Sequence, residues 1–274
     1  MIQTLQEMLS YPFISRAVIV GILVSLCAAL LGVSLVLKRF SMIGDGLSHV
    51  SFGALSIAMA MNIAPLKLSI PVVVIAAFFL LKLSNNSKIK GDALIALISS
   101  SSLAIGVIVI SRTTGMYADV DGYMFGSILA MNDDDVKLSI ALSIIVLILF
   151  VLFYHQLFNV TFDESFSKAA GINVSSYNMI IAFLTAITIV LGMRMMGAML
   201  ISSLVIFPAL TSMRVCKRFQ TVTICSAFVS VICFFIGIVL SYMYETPTGA
   251  SVVLVNLVAF FIFWLIGVIV RRAK

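Results

Sequence analysis

The sequence predicts an all-α, polytopic membrane protein with eight or nine transmembrane helices, on three observations. Charged residues make up only 10% of the 274 residues and hydrophobic ones 62%, against about 25% charged in soluble domains. The mean hydropathy is +1.22. The apolar residues gather in runs near the roughly 20 residues a helix needs to cross a bilayer. No polar stretch between the runs is long enough to build an independent core. Residues 1–274 therefore read as a single transmembrane domain.

The spans follow in order. Residues 1–12 form a short lead-in with no basic region or cleavage site, so no removable signal peptide is expected. The first span covers about 14–37 and stops at Lys38-Arg39; the second covers about 44–63. The third, about 66–83, carries Pro71 early and gives way to the turn-forming segment SNNSKIK. The fourth covers about 93–111 and holds four serines in a row, Ser99 to Ser102, which hints at close helix packing. Residues 112–135 are an acid-rich connection whose middle, Tyr123 to Met131, is too short to span and reads as re-entrant or interfacial. The fifth span covers about 138–154. After a polar segment, the sixth to ninth cover about 178–192, 195–213, 221–244 and 250–270; the pieces on either side of Arg194 are the weakest.

Orientation follows from the basic residues. Loops 38–43, 82–91, 156–176, 214–220 and 271–274 carry twelve of the 17 lysines and arginines, so they and the C-terminus are expected in the cytoplasm. The acid-rich connection then faces outward, as a vestibule that attracts cations or as an ordinary solvated loop. The same distribution argues against a nucleic-acid partner, because the charge serves topology rather than one binding face. No GxxxxGK[ST] or GxGxxG motif is present, so any ATP must act through another subunit. The four cysteines form no CxxC pair and read as small packed side chains. His155 reads as interfacial, Met193, Met195, Met196 and Met199 as gap-fillers rather than a copper site, and Arg194 as snorkelling at the outer surface.

The stretch that carries chemistry is Ser41-Met42-Ile43-Gly44-Asp45-Gly46-Leu47-Ser48-His49. Asp45 and His49 are four residues apart and project from one helix face. By periodicity that face also collects Gly46, Phe52, Gly53, Ser56 and Ala60, and is mostly small or polar. Ionisable groups inside lipid are costly and usually face a bundle interior or a water-filled path. Carboxylate plus imidazole suits a borderline divalent metal, and two donors favour transfer over storage. A purely structural polar pair is the competing reading of the same residues. Ser48-His49 is no hydrolase pair, since adjacent helical residues diverge by about 100°.

Beyond that pair, several stretches in order resemble the metal-uptake ABC permeases, importers of zinc, manganese or iron(II). They are Lys38 to His49, Phe125-Gly126-Ser127-Ile128-Leu129-Ala130, Phe162-Asp163-Glu164 with Lys168-Ala169-Ala170-Gly171, Met196 to Ala209, and Thr246 to Leu254. One departure is Ser51-Phe52-Gly53, where many members carry Leu-Pro-Gly; the second helix is expected to be straighter for it. The resemblance implies an ABC importer permease: a second copy of the chain, a cytoplasmic ATPase dimer, an extracytoplasmic metal-binding protein and a bacterial cytoplasmic membrane. It implies metal contact at Asp45 and His49, and a coupling segment over 162–171 using Phe162, Asp163, Glu164, Lys168 and Gly171. Asp163 and Glu164 suit the first turn of a helix and Gly171 its end. No cofactor is expected to be held by the chain itself. The cargo is expected to be a divalent ion, Zn(II) first, with Mn(II) or Fe(II) as alternatives. An ion-coupled secondary transporter is the remoter alternative, disfavoured because no internal repeat is visible.

Overall fold

The computed structural model describes residues 8, 10–86, 91–113 and 133–272. The expected re-entrant or interfacial piece over Tyr123 to Met131, and with it the Phe125 to Ala130 match, lies outside them. All elements among the described residues are helical: α1 Pro12–Leu37, α2 Ile43–Ala60, α3 Pro65–Asn86, α4 Gly91–Arg112, α5 Asp133–Leu152, α6 Tyr154–Phe162, α7 Glu164–Ala169, α8 Val174–Ser212, α9 Phe219–Tyr244 and α10 Thr248–Arg272. Seven of them are long and apolar enough to cross a membrane.

The helix starts follow from local chemistry. Pro12 opens α1 with its φ already set and no N–H to satisfy. Asp133, Asp134 and Asp135 form the first turn of α5, where negative charge meets the positive end of the helix dipole. The acidic triplet expected in a connection is therefore the head of a helix. Pro71 lies inside α3 without ending it.

Helix α8 has 39 residues, about 58 Å if straight, nearly twice the roughly 30 Å of a hydrocarbon core. It is not straight. Gly197 has φ +81° and ψ 164°, a conformation essentially confined to glycine. Gly192 packs directly against the Ile201 side chain, although nine residues of straight helix would hold them about 13 Å apart. The chain therefore reverses at Gly197 into two arms, α8a (174–196) and α8b (198–212). The two weak spans on either side of Arg194 are thus both present, with the break three residues after the arginine. Gly197→Ala should cost about 1–3 kcal/mol, measured as a lower thermal midpoint of the detergent-purified protein; an unchanged midpoint would contradict a glycine-dependent reversal.

Around this reversal the topology alternates. Lys38 at the end of α1 bonds Asn178 near the start of α8a, and a Cβ on Gly192 would meet Val24 at 3.1 Å, so α1 and α8a are antiparallel. Ser226 and Ser230 of α9 donate to the carbonyls of Ala29 and Ser25, so α9 also opposes α1. Gly237 sits against Val252, pairing α9 with α10. Helices α2 and α4 run parallel, since Gly46 faces Ile95 and Gly53 faces the Ser102 carbonyl. Counting the two arms of α8 separately and including α2, nine segments alternate in direction among the described residues. Lys38, Lys82, α6, α7, Arg214 and the C-terminal end of α10 share one end of the bundle. Arg16, Arg112, Asp133 and Gly197 share the other.

The core lies where α1 and α8 meet, with Val20, Val24, Leu31, Leu184, Val190 and Leu200 fully or almost fully buried. The outward faces of α4, α5, α9 and α10 remain apolar and exposed, as at Ile148, Phe228 and Trp264. Such a surface suits lipid rather than water.

Candidate metal path and coupling segment

Asp45 and His49 occupy the first two turns of α2, with His49 Nε2 3.8 Å from Asp45 Oδ2. That is ion-pair range but beyond a hydrogen bond. Ser202 of α8b donates to Asp45 Oδ1 at 3.5 Å while also bonding the Ala198 carbonyl at 3.0 Å. Ser48 turns back to its own helix, donating to the Asp45 carbonyl at 2.7 Å. Nearly all of α2 is buried, yet the Asp45 side chain stays 43% exposed and that of His49 18%. Met42, just before α2, and Met199, on α8b, are also about half exposed. Helix α2 runs from Ile43 to Ala60 without interruption, as expected for a chain lacking the proline.

Both Gly32 and Gly44 meet Val205, which places the start of α2 about 9 Å, six residues of α1, inside Lys38. The pair thus sits within the thickness of the bundle, opening sideways beside α8b.

The rest of the expected polar face is not open. A Cβ on Gly46 would strike Ile95, one on Gly53 would come within 2.8 Å of the Ser102 carbonyl, and Phe52 fills the notch at Gly106. Periodicity groups these positions with Asp45 and His49, but α4 covers them. No group of three or more His, Cys, Asp or Glu assembles among the described residues.

The segment over 162–171 is built as its residue types suggest. Asp163 caps α7, its Oδ1 accepting from the Ser165 and Phe166 N–H groups at 2.9 Å each. Gly171, at φ +81°, ends the turn in the left-handed conformation. Lys38 Nζ donates to Glu164 Oε1 at 2.8 Å, Asn178 Nδ2 donates to the same oxygen at 3.0 Å, and Lys38 also donates to Asn178. This triad ties α7 to α1 and α8a, and spacing along the chain did not reveal it. Burial pushes the Glu164 carboxyl up, but the hydrogen bonds from Lys38 and Asn178 and the charges of Lys38 and Lys168 outweigh it and leave it below the ordinary carboxylate value. Burial pushes the Lys38 ammonium down, only partly offset by Glu164. A carboxylate held low stabilises the fold above its unfolded pKa and loses that contribution as pH falls through the folded value. Acidification below about pH 4 should therefore loosen α7. Because Glu164 is substantially exposed, the effect stays within about 1 kcal/mol. Proteolysis near Phe166 at low pH would show it, with Glu164→Gln already loose at neutral pH. Equal protection in both proteins would remove the tether.

On the far side of α7, Phe166 is 67% exposed and Phe162, at the end of α6, 58%. Phe166 lies about 200° around the helix from Glu164, so tether and free aromatic occupy opposite faces.

At the other end of the bundle two expectations are corrected. Arg194 is not at the surface but only 9% exposed, 3.7 Å from Asp135, because the reversal at Gly197 folds α8b over it. Asp133 pairs with Arg16. Two acids of the expected vestibule are therefore matched by arginines on α1 and α8a.

Comparison with known proteins gives a consistent result. The family described as "ABC 3 transport family" matches residues 10–267. The high-affinity zinc uptake system membrane protein ZnuB of Haemophilus influenzae is 30% identical over 245 residues, covering 89% of this chain and 94% of that protein. The manganese import system permease protein ScaB of Streptococcus gordonii is 29% identical, covering 94% of each. Among solved structures, PsaBC from Streptococcus pneumoniae in complex with Fab superposes with a TM-score of 0.86 at 27% identity, over 96% of this chain and 95% of that one.

Proposed function

This chain belongs to the ABC 3 transport family and is a multi-pass metal transport permease, and we propose that it forms the membrane pathway of an ATP-driven importer carrying Zn(II) into the cytoplasm. The observation that carries the reading is the Asp45–His49 pair, held inside the bundle yet open to its side. A carboxylate within membrane thickness is costly unless water, a cation or a partner faces it. A second copy related by a two-fold axis would be such a partner: its own Asp45 and His49 bring the donors to four, around a path that excludes lipid and admits water and the cation. Four donors shared between two chains bind a passing ion and release it when the chains move, as conduction requires. Ser202 holds the carboxylate toward that path.

The end carrying Lys38, Lys82 and Arg214 is the cytoplasmic one on the charge rule, which puts α7 where an ATPase can reach it. Phe166 is then the group that docks, and the Lys38–Glu164–Asn178 triad passes the ATPase's movement to α1 and α8a. Phe166→Asp should lower metal-stimulated ATP hydrolysis at least about fivefold while the permease itself stays folded. Unchanged hydrolysis would place the contact elsewhere. An extracytoplasmic binding protein is expected to deliver the ion at the opposite end.

Carboxylate and imidazole donors take Zn(II), Mn(II) and Fe(II) alike, so metal identity is tested directly. A strain lacking its own high-affinity importers, carrying this chain with its ATPase and binding protein, is grown in chelated medium replenished with one metal at a time. Relief of the zinc requirement alone supports the proposal. Relief by manganese or iron(II) instead would replace the metal and keep the pathway, and relief by none would remove the import reading.

A further inference from the structure

The transport path leaves unused a cavity of about 510 Å³ at the basic end of the bundle, between α3 and the start of α8 and bounded by α7. Its walls are of two kinds. Phe78, Leu81 and Met179 are apolar, whereas Lys82, Lys168 and Ser175 bring donors from three different helices. Glu164 also borders it, but that carboxylate already accepts from Lys38 and Asn178. No ion pair to Lys82 or Lys168 occurs among the described residues, so positive charge is in excess. The first turn of α8, where Ser175 sits, adds N–H groups and the favourable end of a helix dipole.

The surroundings decide what kind of anion fits. Val72, Ile75 and Phe79 are exposed at spacings of three and four residues along α3, an apolar stripe that leads along the helix to Lys82. Met179 and Phe183 make the matching exposed stripe on α8a. A cationic recess at the end of an apolar groove is complementary to one class of molecule, with phosphate at one end and hydrocarbon at the other. Basic pockets between membrane helices on the cytoplasmic side bind such headgroups.

We infer that this cavity holds the headgroup of an anionic phospholipid, its phosphate between Lys82 and Lys168 and its chains along Ile75, Phe79, Met179 and Phe183. The site lies behind α7, on the Glu164–Lys168 face, so an occupied cavity steadies the coupling helix and leaves Phe166 free. The inference needs only the membrane placement of the chain, not the identity of its cargo.

The test is lipid retention by the permease purified with its ATPase and reconstituted in phosphatidylcholine nanodiscs containing a minority of phosphatidylglycerol. Native mass spectrometry of the released complex then counts bound phosphatidylglycerol without metal or ATP, so the result stands or falls apart from transport. At roughly 1 kcal/mol per lysine near a membrane surface, K82Q should lower retention about fivefold and K82Q/K168Q about thirtyfold. K82R/K168R should keep it, which separates lost charge from lost folding. Added inorganic phosphate should not displace the lipid. Equal retention in K82Q/K168Q, loss in the arginine variant, or displacement by inorganic phosphate would overturn the inference. A photo-crosslinker at Phe79 should label lipid; a chain-to-chain adduct there would instead make the groove a contact between copies and overturn it as well.

Discussion

Metal uptake by His49→Ala is expected to fall at least about tenfold while the protein folds and associates like the unaltered chain. Both halves of that outcome follow from the geometry. His49 lies 3.8 Å from Asp45, too far for a hydrogen bond, and its side chain is partly open. The fold therefore loses little when the imidazole is removed. In the proposed two-fold arrangement the path would lose one donor per chain, two of four, and with them the imidazole nitrogens that suit a borderline metal. Asp45→Asn is the companion variant, because it preserves shape and removes the charge. It should depress uptake to a similar degree, and the two together should lose clearly less than the product of the single losses, since both act on one site. Radiometal uptake in vesicles, with size-exclusion profiles as the folding control, decides it. Normal uptake in His49→Ala would leave Asp45 and His49 as a structural pair, and additive losses would assign them separate roles.

The largest structural penalty is expected at Gly32. Its missing Cβ is where the Val205 carbonyl oxygen lies, and the Val205 carbonyl carbon would be 2.9 Å away. Both atoms are backbone, so no rotamer change relieves the overlap; α1 and α8b must separate. Overpacking costs typically about 1–3 kcal/mol and occasionally more, and a backbone-on-backbone clash in the buried seam belongs at the upper end, about 3 kcal/mol. Gly32→Ala should therefore give poor yield and a clearly lowered thermal midpoint. Gly44→Ala is the contrast, because a Cβ there meets only the Val205 side chain at 3.8 Å or more, an ordinary contact. Equal stability of the two variants would show that α1 and α8b are not locked in this register. Since Val205 also supports the start of α2, any Gly32→Ala protein that survives should transport poorly.

What could be read along the chain was whatever short-range chemistry enforces. Hydrophobic runs located the spans, including both arms of α8, because lipid leaves the backbone no choice but helix. Acidic residues at the start of the 162–171 helix and Gly171 as its terminator are local electrostatic and φ requirements; Glu164 opens α7 as expected, Asp163 takes the N-cap just before it rather than the first turn, and Gly171 ends it. The Asp45–His49 proximity is one helical turn, and it holds too. Lys38 and Glu164, by contrast, are 126 residues apart, and no periodicity links them. The same is true of Asp135 and Arg194. Arginine at the edge of an apolar run reads as an interfacial residue until the reversal at Gly197 buries it beside α5.

Residue types and their spacing were thus sufficient for the all-helical membrane class, the charge asymmetry and the candidate donor pair, each set by interactions within a few residues or with the solvent; eight or nine spans were expected, against seven helices long and apolar enough to cross among the described residues. Tertiary packing decided which half of the α2 face stays open. Gly46, Phe52 and Gly53 share the helical side of Asp45 and His49, but α4 approaches close enough to cover them, and only Asp45 and His49 remain facing the side of the bundle. Amphipathic periodicity tells which residues share a side; which neighbour covers that side depends on contacts between segments fifty to one hundred and fifty residues apart, and those exist only once the helices have packed.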